Sequence, residues 1–397
     1  MRNIVVAGAG LAGLRTVQEL RNQGFAGTLT LVGAEPHRPY DRPPLSKAVL
    51  AGESGPVELP ADWAQLDCEV LLGRRAESLA LHADRPGGTL HTTGGPLPFD
   101  GLAVATGASP IRLPGPGAQH VVRTLDDCRA LAPELRAGAR VVIVGAGFIG
   151  AEVATVAAGR GCRVTVVEAA DAPLAGALGS AAGALTTGWY AEAGVELRCG
   201  IRVAAVEDGG LALVGGEMPA DVVIAAVGVR PDVGWLAGSG LAVERGLLVD
   251  GAMRTSRPEV VAAGDCAAWW SRRFGCRLPA EHWTLAKDAP EVAAATLLGR
   301  EAVYDAPPYF WSEQFGRMVQ YAGHHRGADR MVLRGDPADP SWAALWLTGS
   351  RLDAILAVDR PRDLVQGRRL IADAAELDPD RAADPQVMLR NAVGVRC

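Results

Sequence analysis

Two copies of one glycine-rich pattern constrain this chain more than any other feature. The first copy is GAGLAG at 8–13 and the second is GAGFIG at 145–150. Each follows a short β-branched run and opens a segment with helical periodicity, so each predicts a strand, a tight turn and a helix. In such a unit the first glycine permits the turn, the second admits a pyrophosphate, and the third lets helix and strand pack closely. Two nucleotide-binding units of the Rossmann type are therefore predicted.

An acidic residue follows the second strand of each unit. The predicted elements are strands at 3–7, 28–32, 140–144 and 163–167 and helices at 11–23 and 148–160. Glu35 and Glu168 come after the second strand of their units and can accept hydrogen bonds from a ribose. Glu168 would repel a 2′-phosphate, so NADH is preferred over NADPH. Because hydride transfer needs an acceptor as well as a donor, one of the two sites should hold a flavin.

Composition excludes several classes of function. The chain has 397 residues, 49% of them hydrophobic and 21% charged, which is typical of a soluble protein with two or three domains. A net charge of −6 argues against general nucleic-acid binding, and no uninterrupted apolar run is long enough to span a membrane. The apolar N-terminus is not interpreted as a signal peptide, because the glycines at 8, 10 and 13 fall where a strand turns into a helix.

The cysteines indicate a reducing, cytoplasmic setting. They are scattered, odd in number and include no CxxC pair: Cys68, Cys128, Cys162, Cys199, Cys266, Cys276 and Cys397. The missing CxxC removes the redox-active dithiol that a disulfide reductase needs. No metal site is predicted.

Five further motifs identify a family. They are RPYDRPPLSK at 38–47, ATGA at 105–108, AGD at 263–265, EHW at 281–283 and PYFWSEQ at 308–314. With these motifs in this order, the chain resembles the FAD-dependent NAD(P)H:ferredoxin reductases. This is the family of putidaredoxin reductase, rubredoxin reductase and the reductase components of dioxygenases. The resemblance covers nearly the whole chain. It implies an α/β fold with two Rossmann-like domains, one for FAD and one for NADH, and a smaller C-terminal α+β domain.

The implied domain boundaries follow the Pro/Gly-rich segments and a change of composition near residue 304, after which aromatic residues are more frequent. We expect an FAD-binding domain in two parts, 1–108 and 230–303, an NADH-binding domain at 109–229 and a C-terminal domain at 304–397. The last domain is predicted to contain a hairpin turn at 348–350 and a closing helix at 362–375.

The resemblance also implies a set of cofactor-binding residues: Gly8, Gly10, Ala12, Gly13, Glu35, Arg42, Lys47, Ala76, Thr106, Gly107, Arg123, Gly145, Gly147, Ile149, Gly150, Glu152, Glu168, Gly228, Asp265 and Trp283. The first glycine motif and Glu35 would bind the adenosine half of FAD, with Ala76 near the adenine and Arg123 near the pyrophosphate. Asp265 would bind the ribityl chain, and Trp283 would close over the pyrimidine edge of the flavin.

Three residues are predicted to take part in catalysis: Lys47, Glu152 and Trp311. By resemblance, Lys47 approaches the isoalloxazine, and Glu152 lies by the nicotinamide and pairs with Lys47. A cation near the flavin stabilises the reduced anion, and a buried lysine needs a counter-charge. Simpler interpretations are a surface lysine for Lys47, a solvent-facing helix residue for Glu152 and a helix N-cap for Asp265. Trp311 is either an electron relay or a core aromatic.

One departure from the family pattern concerns the segment after EHW. Family members usually have a Gln-Gly step in the following helix, whereas this chain has Ala289-Pro290. Because proline lacks a backbone donor and suits the first turn of a helix, Pro290 is predicted to start a new helix.

The predicted activity is that of a ferredoxin reductase. NADH gives a hydride to FAD, and single electrons pass to a small acidic iron-sulfur ferredoxin that serves a cytochrome P450 or another oxygenase. The ferredoxin is expected to dock near Trp311, Arg317, Arg326, Arg368 and Arg369. Two alternatives remain open: an NADH oxidase or quinone reductase, and an NADH-binding redox sensor resembling apoptosis-inducing factor. The protein is expected to be a monomer or homodimer that binds neither nucleic acid nor membrane.

Overall fold

The computed structural model describes residues 1–53, 55, 57–279 and 282–394. The chain forms two compact units, each built from separate stretches. The first unit comprises Met1–Asp41, Pro56–Ser109 and Arg230–Pro308. The second comprises Arg42–Gly55, Pro110–Val229 and Tyr309–Cys397. Within the described residues, no helix combines the length and the apolar character that a membrane span requires.

The strands are numbered in chain order: β1 Asn3–Ala7, β2 Thr28–Val32, β3 Cys68–Leu71, β4 Ala76–Leu81, β5 Gly88–Thr92, β6 Gly95–Phe99, β7 Gly101–Val104, β8 Ala108–Pro110, β9 Arg140–Val144, β10 Arg163–Val167, β11 Glu196–Arg198, β12 Val203–Glu207, β13 Gly210–Leu213, β14 Gly216–Pro219, β15 Val222–Ala225, β16 Val229–Pro231, β17 Leu247–Val249, β18 Val260–Ala262, β19 Ala267–Ser271, β20 Cys276–Pro279, β21 Tyr309–Gln314, β22 Arg317–Gly323, β23 Arg330–Arg334, β24 Trp342–Thr348 and β25 Arg351–Val358.

The α-helices are α1 Leu11–Asn22, α2 Ala48–Ala51, α3 Trp63–Leu66, α4 Leu125–Leu131, α5 Phe148–Gly159, α6 Ala175–Leu178, α7 Ser180–Ala184, α8 Thr187–Glu192, α9 Trp283–Leu297, α10 Pro361–Ala372 and α11 Pro379–Ala383. Short 3-10 helices occur at Pro43–Ser46, Ala132–Glu134, Gly234–Leu236 and Leu389–Asn391.

A five-stranded parallel sheet forms the centre of the first unit, in the order β18-β7-β1-β2-β3. Its central strands are buried apolar runs, as a parallel sheet covered on both faces requires. Helix α1 packs against α9 beside this sheet. Two three-stranded sheets, β4-β5-β6 and β17-β19-β20, complete the unit.

The second unit contains a four-stranded parallel sheet in the order β11-β10-β9-β15 and a small antiparallel sheet, β12-β13-β14. Its C-terminal part is an antiparallel sheet in the order β21-β22-β25-β24-β23, against which α10 packs. Strands β24 and β25 are buried along most of their length and form the hydrophobic core of this part. Strand β21 contacts α5, so the C-terminal sheet meets the glycine-motif helix within one unit.

The α/β fold class is confirmed, with parallel Rossmann-like sheets and a separate antiparallel C-terminal sheet. The strands predicted around both glycine motifs have the observed bounds, and the helices end one residue earlier than predicted. The hairpin turn between β24 and β25 is also confirmed. The closing helix runs over Pro361–Ala372 instead of 362–375, because Ala374 adopts a positive φ of 49° and terminates it. The division into four domain segments stays a prediction.

The prediction for Pro290 is wrong. Pro290 lies inside α9, which continues without a break from Trp283 to Leu297. Proline removes the hydrogen bond that residue 290 would donate to the carbonyl of Ala286, four residues earlier. The helix persists because its apolar face, including Leu285, Ala289 and Ala293, is buried in the core of the first unit.

Candidate active site

The glycines of the first motif divide into two kinds. Gly8 has a φ of +117°, and a Cβ there would lie 2.0 Å from the carbonyl oxygen of Ala105. A Cβ on Gly13 would lie 1.8 Å from the oxygen of Gly8. By contrast, a Cβ on Gly10 would meet no protein atom within 4 Å. The outer glycines therefore allow the chain to pack, while the middle glycine faces open space of the kind that a pyrophosphate needs at a helix N-terminus.

The acidic residue of the first unit is held by a tyrosine. Glu35 lies three residues beyond β2 and is half-buried. The hydroxyl of the buried Tyr40 donates a hydrogen bond of 2.5 Å to Glu35 Oε2. This bond fixes the orientation of the Glu35 carboxylate. Tyr40 belongs to the motif at 38–47, but nothing in the pattern indicated that it would orient Glu35.

Loops at the carboxyl end of the parallel sheet hold the next predicted residues. Thr106 Oγ1 donates to the carbonyl oxygen of Asp232 at 2.6 Å, and the N–H of Asp232 donates to the oxygen of Gly107 at 2.9 Å. Gly264 has a φ of +77°, and a Cβ added to it would lie 2.9 Å from the Cβ of Ala12. Ligands of open α/β sheets bind at this end of the strands.

Asp265 follows Gly264 in a turn that leads into strand β19, not into a helix. The alternative interpretation of Asp265 as a helix N-cap is therefore wrong. Trp283 is the first residue of α9, and its indole Nε1 donates to Asp41 Oδ1 at 2.7 Å. Ala76 opens strand β4. Glu281 of the EHW motif lies outside the described residues.

The second motif repeats the geometry of the first. A Cβ on Gly145, which has a φ of +105°, would lie 2.4 Å from the oxygen of Ala226, and one on Gly150 would lie 2.0 Å from the oxygen of Gly145. A Cβ on Gly147 would meet nothing within 4 Å. Ile149, in the first turn of α5, is exposed. The second motif thus presents the same open middle glycine.

Glu168 follows β10 and bends back to the glycine turn. Its Oε2 accepts a hydrogen bond from the N–H of Ala146, and its Oε1 accepts from the N–H of Ala170, both at 2.8 Å. These bonds fix the carboxylate beside the second motif. Gly228, the last of the predicted residues in this unit, is exposed and has a φ of +102°.

Lys47 and Glu152 form the ion pair predicted for them. Lys47 Nζ lies 2.8 Å from Glu152 Oε2. The side chain of Glu152 is 3% exposed and that of Lys47 is 20% exposed, so the interpretations as surface residues are wrong. Ser312 Oγ donates to Glu152 Oε1 at 2.6 Å, and Ser46 Oγ donates to Glu152 Oε2. Both serines lie inside the motifs at 38–47 and 308–314, but no pattern in the sequence predicts that their hydroxyls contact Glu152.

Arg42 and Arg123 lie next to each other in the second unit. Arg42 Nη1 donates to the backbone oxygen of Arg123 at 2.5 Å. Thr124, the residue after Arg123, caps helix α4 in a capping box with Asp127. The cap fixes the backbone that carries Arg123.

Strand β21 presents different side chains on its two faces. On one face, Tyr309 and Trp311 stack with ring centroids 6.1 Å apart, and the guanidinium of Arg368 lies 4.5 Å from the Tyr309 ring. On the other face, Phe310 packs edge-on against Phe148 with ring centroids 4.6 Å apart. Trp311 is half-buried, and its role as an electron relay stays a prediction.

The four arginines proposed for docking differ in their surroundings. Arg317 Nη2 lies 2.6 Å from a carboxylate oxygen of Glu192, and its guanidinium covers the Trp189 ring at 4.9 Å. Its charge is therefore already compensated within the chain. Arg326, Arg368 and Arg369 are exposed.

The cysteines carry no sign of an activated thiolate. The six described cysteines, which exclude Cys397, are free thiols. Burial raises the pKa of every one of them, to about 11 for Cys68 and Cys266 and to about 12 for Cys128. Nucleophilic thiols have lowered pKa values, so peroxide or disulfide chemistry at a described cysteine is disfavoured. Across the described ranges, no three His, Cys, Asp or Glu side chains cluster as a metal site would require.

Comparisons with known proteins assign nearly the whole chain to one family. The model of the pyridine nucleotide-disulphide oxidoreductases matches residues 2–293, and that of the reductase C-terminal domain matches residues 309–393. Rhodocoxin reductase from Rhodococcus erythropolis is 35% identical, over 98% of this chain and 94% of its own length. The ferredoxin–NAD(+) reductase component of the anthranilate 1,2-dioxygenase system from Burkholderia cepacia is 37% identical, over 97% of this chain and 98% of its own.

Among solved structures, the reductase in the covalent putidaredoxin reductase–putidaredoxin complex superposes with a TM-score of 0.92 at 30% identity. The match covers 98% of both chains.

Proposed function

The chain belongs to the pyridine nucleotide-disulphide oxidoreductase family, and we propose that within this family it works as an FAD-dependent ferredoxin reductase that oxidises NADH. The observation that carries this proposal is the pair of glycine motifs, each with an open middle glycine and a fixed acidic residue. Bound FAD would accept the hydride of NADH and pass its two electrons one at a time to the ferredoxin. The chain's own side chains need only bind, orient and set the local charge.

FAD is held by the first unit in this proposal. The backbone at Gly10 receives the pyrophosphate at the N-terminus of α1, which has no capping side chain, and Glu35 binds the adenosine ribose. Thr106, Gly107 and Asp265 lie on loops at the carboxyl end of the sheet and bind the rest of the cofactor. The remaining FAD contacts proposed in this unit are Gly8, Ala12, Gly13, Ala76 and Trp283, and the family resemblance adds Arg42 and Arg123.

NADH is held by the second unit. The N-terminus of α5, again without a capping side chain, receives its pyrophosphate at Gly147. Glu168 binds the adenosine ribose, and its fixed negative charge disfavours the 2′-phosphate of NADPH. Glu152 lies by the nicotinamide, and Lys47 acts on the flavin. The remaining contacts are Gly145, Ile149, Gly150 and Gly228.

The electron acceptor is a small acidic iron-sulfur ferredoxin, which in turn serves a cytochrome P450 or another oxygenase. Support comes from the relatives, one belonging to a dioxygenase system and another solved in complex with putidaredoxin. The proposed docking surface consists of Tyr309, Trp311, Arg368 and Arg369, where the guanidinium of Arg368 lies over the ring of Tyr309 and Tyr309 stacks on Trp311. Arg326 is a further candidate. Arg317 is a weaker one, because Glu192 already neutralises it.

The cellular setting and assembly are also proposals. The free thiols of the six described cysteines suit a reducing cytoplasm. Electron delivery to a small carrier needs only one chain, so we propose a monomer or homodimer. The oxidase alternative gains no support from the described cysteines, whose pKa values burial raises. The redox-sensor alternative predicts a long-lived complex with NADH and a change of molecular mass.

The proposal is tested by NADH-driven cytochrome c reduction with ferredoxins encoded beside oxygenases. We expect reduction that depends on one ferredoxin and falls as salt screens the docking charges, while reduction of ferricyanide stays constant. Arg368→Gln should raise the KM for ferredoxin about threefold to tenfold. Arg202→Gln, at another exposed arginine of the second unit, is the control and should leave it unchanged. Equal rates without ferredoxin would contradict the proposal.

A further inference from the structure

Three separate stretches of the second unit meet at the carboxylate of Glu152, and two of them supply the donors to its oxygens. Helix α5 carries Glu152, the residues before α2 supply Ser46 and Lys47, and strand β21 supplies Ser312. Two donors, Lys47 and Ser46, share Oε2. Among the described residues, the donor to Oε1 is the hydroxyl of Ser312. A buried carboxylate is tolerated only where such partners replace water.

The direction of the Ser312 hydrogen bond is set by its neighbour. Gln314 Nε2 approaches Ser312 Oγ at 3.4 Å, so the serine oxygen faces a donor on one side. An ionised carboxylate can only accept, so the serine proton is directed to Glu152 Oε1. Both Ser312 and Gln314 are buried. The contact fixes one rotamer of Glu152, with Oε2 turned to Lys47.

We propose that Ser312 is a positioning residue for the redox reaction. Lys47 Nζ is held by Glu152 Oε2 and by the carbonyl oxygen of Pro43, to which it donates at 3.2 Å. By binding Oε1, Ser312 fixes the carboxylate side of this pair of contacts, and the C-terminal sheet thereby helps to set the flavin potential. This inference rests on the proposed action of Lys47 on the flavin. A cation held near the flavin stabilises the reduced anion and raises its potential, so a loosened Lys47 lowers it.

Removing the hydroxyl of Ser46 or of Ser312 leaves Glu152 with different hydrogen-bond partners. In Ser46→Ala, Oε2 keeps Lys47 as its partner. In Ser312→Ala, Oε1 loses the donor described for it, and the carboxylate is free to rotate towards the remaining donors. The effect on Lys47 is therefore larger for Ser312→Ala than for Ser46→Ala.

The test is the midpoint potential of FAD in the loaded full-length protein, measured by equilibration with a reference dye. Lys47→Met should lower the equilibrium constant for flavin reduction about tenfold, which is ~30 mV for a two-electron couple. Ser312→Ala should lower it about threefold, and Ser46→Ala by less. In the Lys47→Met background, Ser312→Ala should cause no further change, because its effect acts through the lysine.

The control is Ser271→Ala. Ser271 is likewise a fully buried strand serine, but its hydroxyl accepts from the N–H of Phe274 and takes no part in the Glu152 cluster. It should leave the potential unchanged even if it lowers the melting temperature. If Lys47→Met lowers the potential and Ser312→Ala does not, or if the two effects add, the inference fails while the proposed function stands. If Lys47→Met has no effect, the role of Lys47 fails, and the inference fails with it.

Discussion

Tyr40 donates its phenolic proton to Glu35 over 2.5 Å, and this bond holds the acidic residue that follows the first βαβ unit. Tyr40 is buried, whereas Glu35 is half-buried. The tyrosine thus fixes the carboxylate before the cofactor arrives, which lowers the entropy lost on binding.

Tyr40→Phe should therefore weaken FAD binding without unfolding the protein. A hydrogen bond to a charged group contributes about 1.5 to 3 kcal/mol, so the Kd for FAD should rise at least about tenfold. Flavin fluorescence quenching on titration of the apoprotein measures it. The control is Tyr190→Phe, because the buried hydroxyl of Tyr190 has no hydrogen-bond partner among the described residues. An unchanged Kd for Tyr40→Phe would contradict the role of Tyr40 in holding Glu35 for the cofactor.

The middle glycines allow the two nucleotide sites to be blocked separately. Gly10→Ala and Gly147→Ala each add a methyl group where no protein atom lies within 4 Å, so both variants should fold. Gly10→Ala should be purified without flavin. Gly147→Ala should keep its flavin but show a KM for NADH raised about tenfold or more, since the methyl group meets the pyrophosphate. Retention of wild-type flavin content and KM would place both ligands elsewhere.

Gly8→Ala is the contrasting variant, because its Cβ would lie 2.0 Å from the carbonyl oxygen of Ala105. We expect it to accumulate as insoluble protein. All three substitutions add one methyl group. Any difference in solubility, flavin content or KM between the variants therefore comes from where that methyl group lies.

How far the sequence predicts this molecule depends on the range of the interactions. Both βαβ units follow from local periodicity and glycine spacing, and their strands were predicted with the observed bounds. The pairing of Lys47 with Glu152 followed from resemblance to the family. The contacts of the Ser46 and Ser312 hydroxyls cannot be predicted locally, because residues 46, 152 and 312 meet only through the tertiary fold. Pro290 does not start a helix, because burial of an apolar face outweighs the loss of one backbone hydrogen bond.

A buried arginine binds the segment that follows α10. Arg334 is 1% exposed, and its guanidinium pairs with Asp363 Oδ2 at 3.0 Å. It also donates to the backbone oxygens of Ala382, Asp384 and Val387. The segment after α10 is thereby tied to strand β23.

Arg334→Met should lower the free energy of unfolding of the C-terminal sheet by about 3 to 5 kcal/mol, because it leaves a buried carboxylate and several carbonyls without this donor. Urea unfolding followed by tryptophan fluorescence measures the change, since Trp342 and Trp346 lie in this sheet. Arg330→Met, at an exposed position of the same strand, should cost less than about 1 kcal/mol. Equal losses for both would contradict the role of Arg334.

His325 makes stability depend on pH. Its Nδ1 lies 2.8 Å from the hydroxyl of Tyr321, and burial, with the nearby charges of His324 and Arg326, lowers the pKa of His325 to about 4. Burial raises the pKa of Tyr321, so the phenol remains the donor and the imidazole remains the acceptor. Because the folded-state pKa lies below the unfolded value, the unfolded chain binds more protons as pH falls from about 6.5 to 4.

Stability should therefore decrease over that interval, by about 1 to 2 kcal/mol after allowance for solvent screening of a half-buried ring. His325→Gln should flatten the melting temperature between pH 7 and about pH 4.5. His91→Gln, at an exposed histidine of β5, should keep the wild-type slope. A wild-type slope in His325→Gln would assign the acid sensitivity to other groups, including His324, whose pKa burial also lowers.

Binding of FAD and NADH by one chain, with electron transfer from NADH to the flavin, is tested by anaerobic titration of the purified protein with NADH. We predict that a stoichiometric amount of NADH bleaches the flavin absorbance, and that added oxidised ferredoxin restores it. A protein that cannot be loaded with flavin, or a bound flavin that NADH does not bleach, would contradict the account.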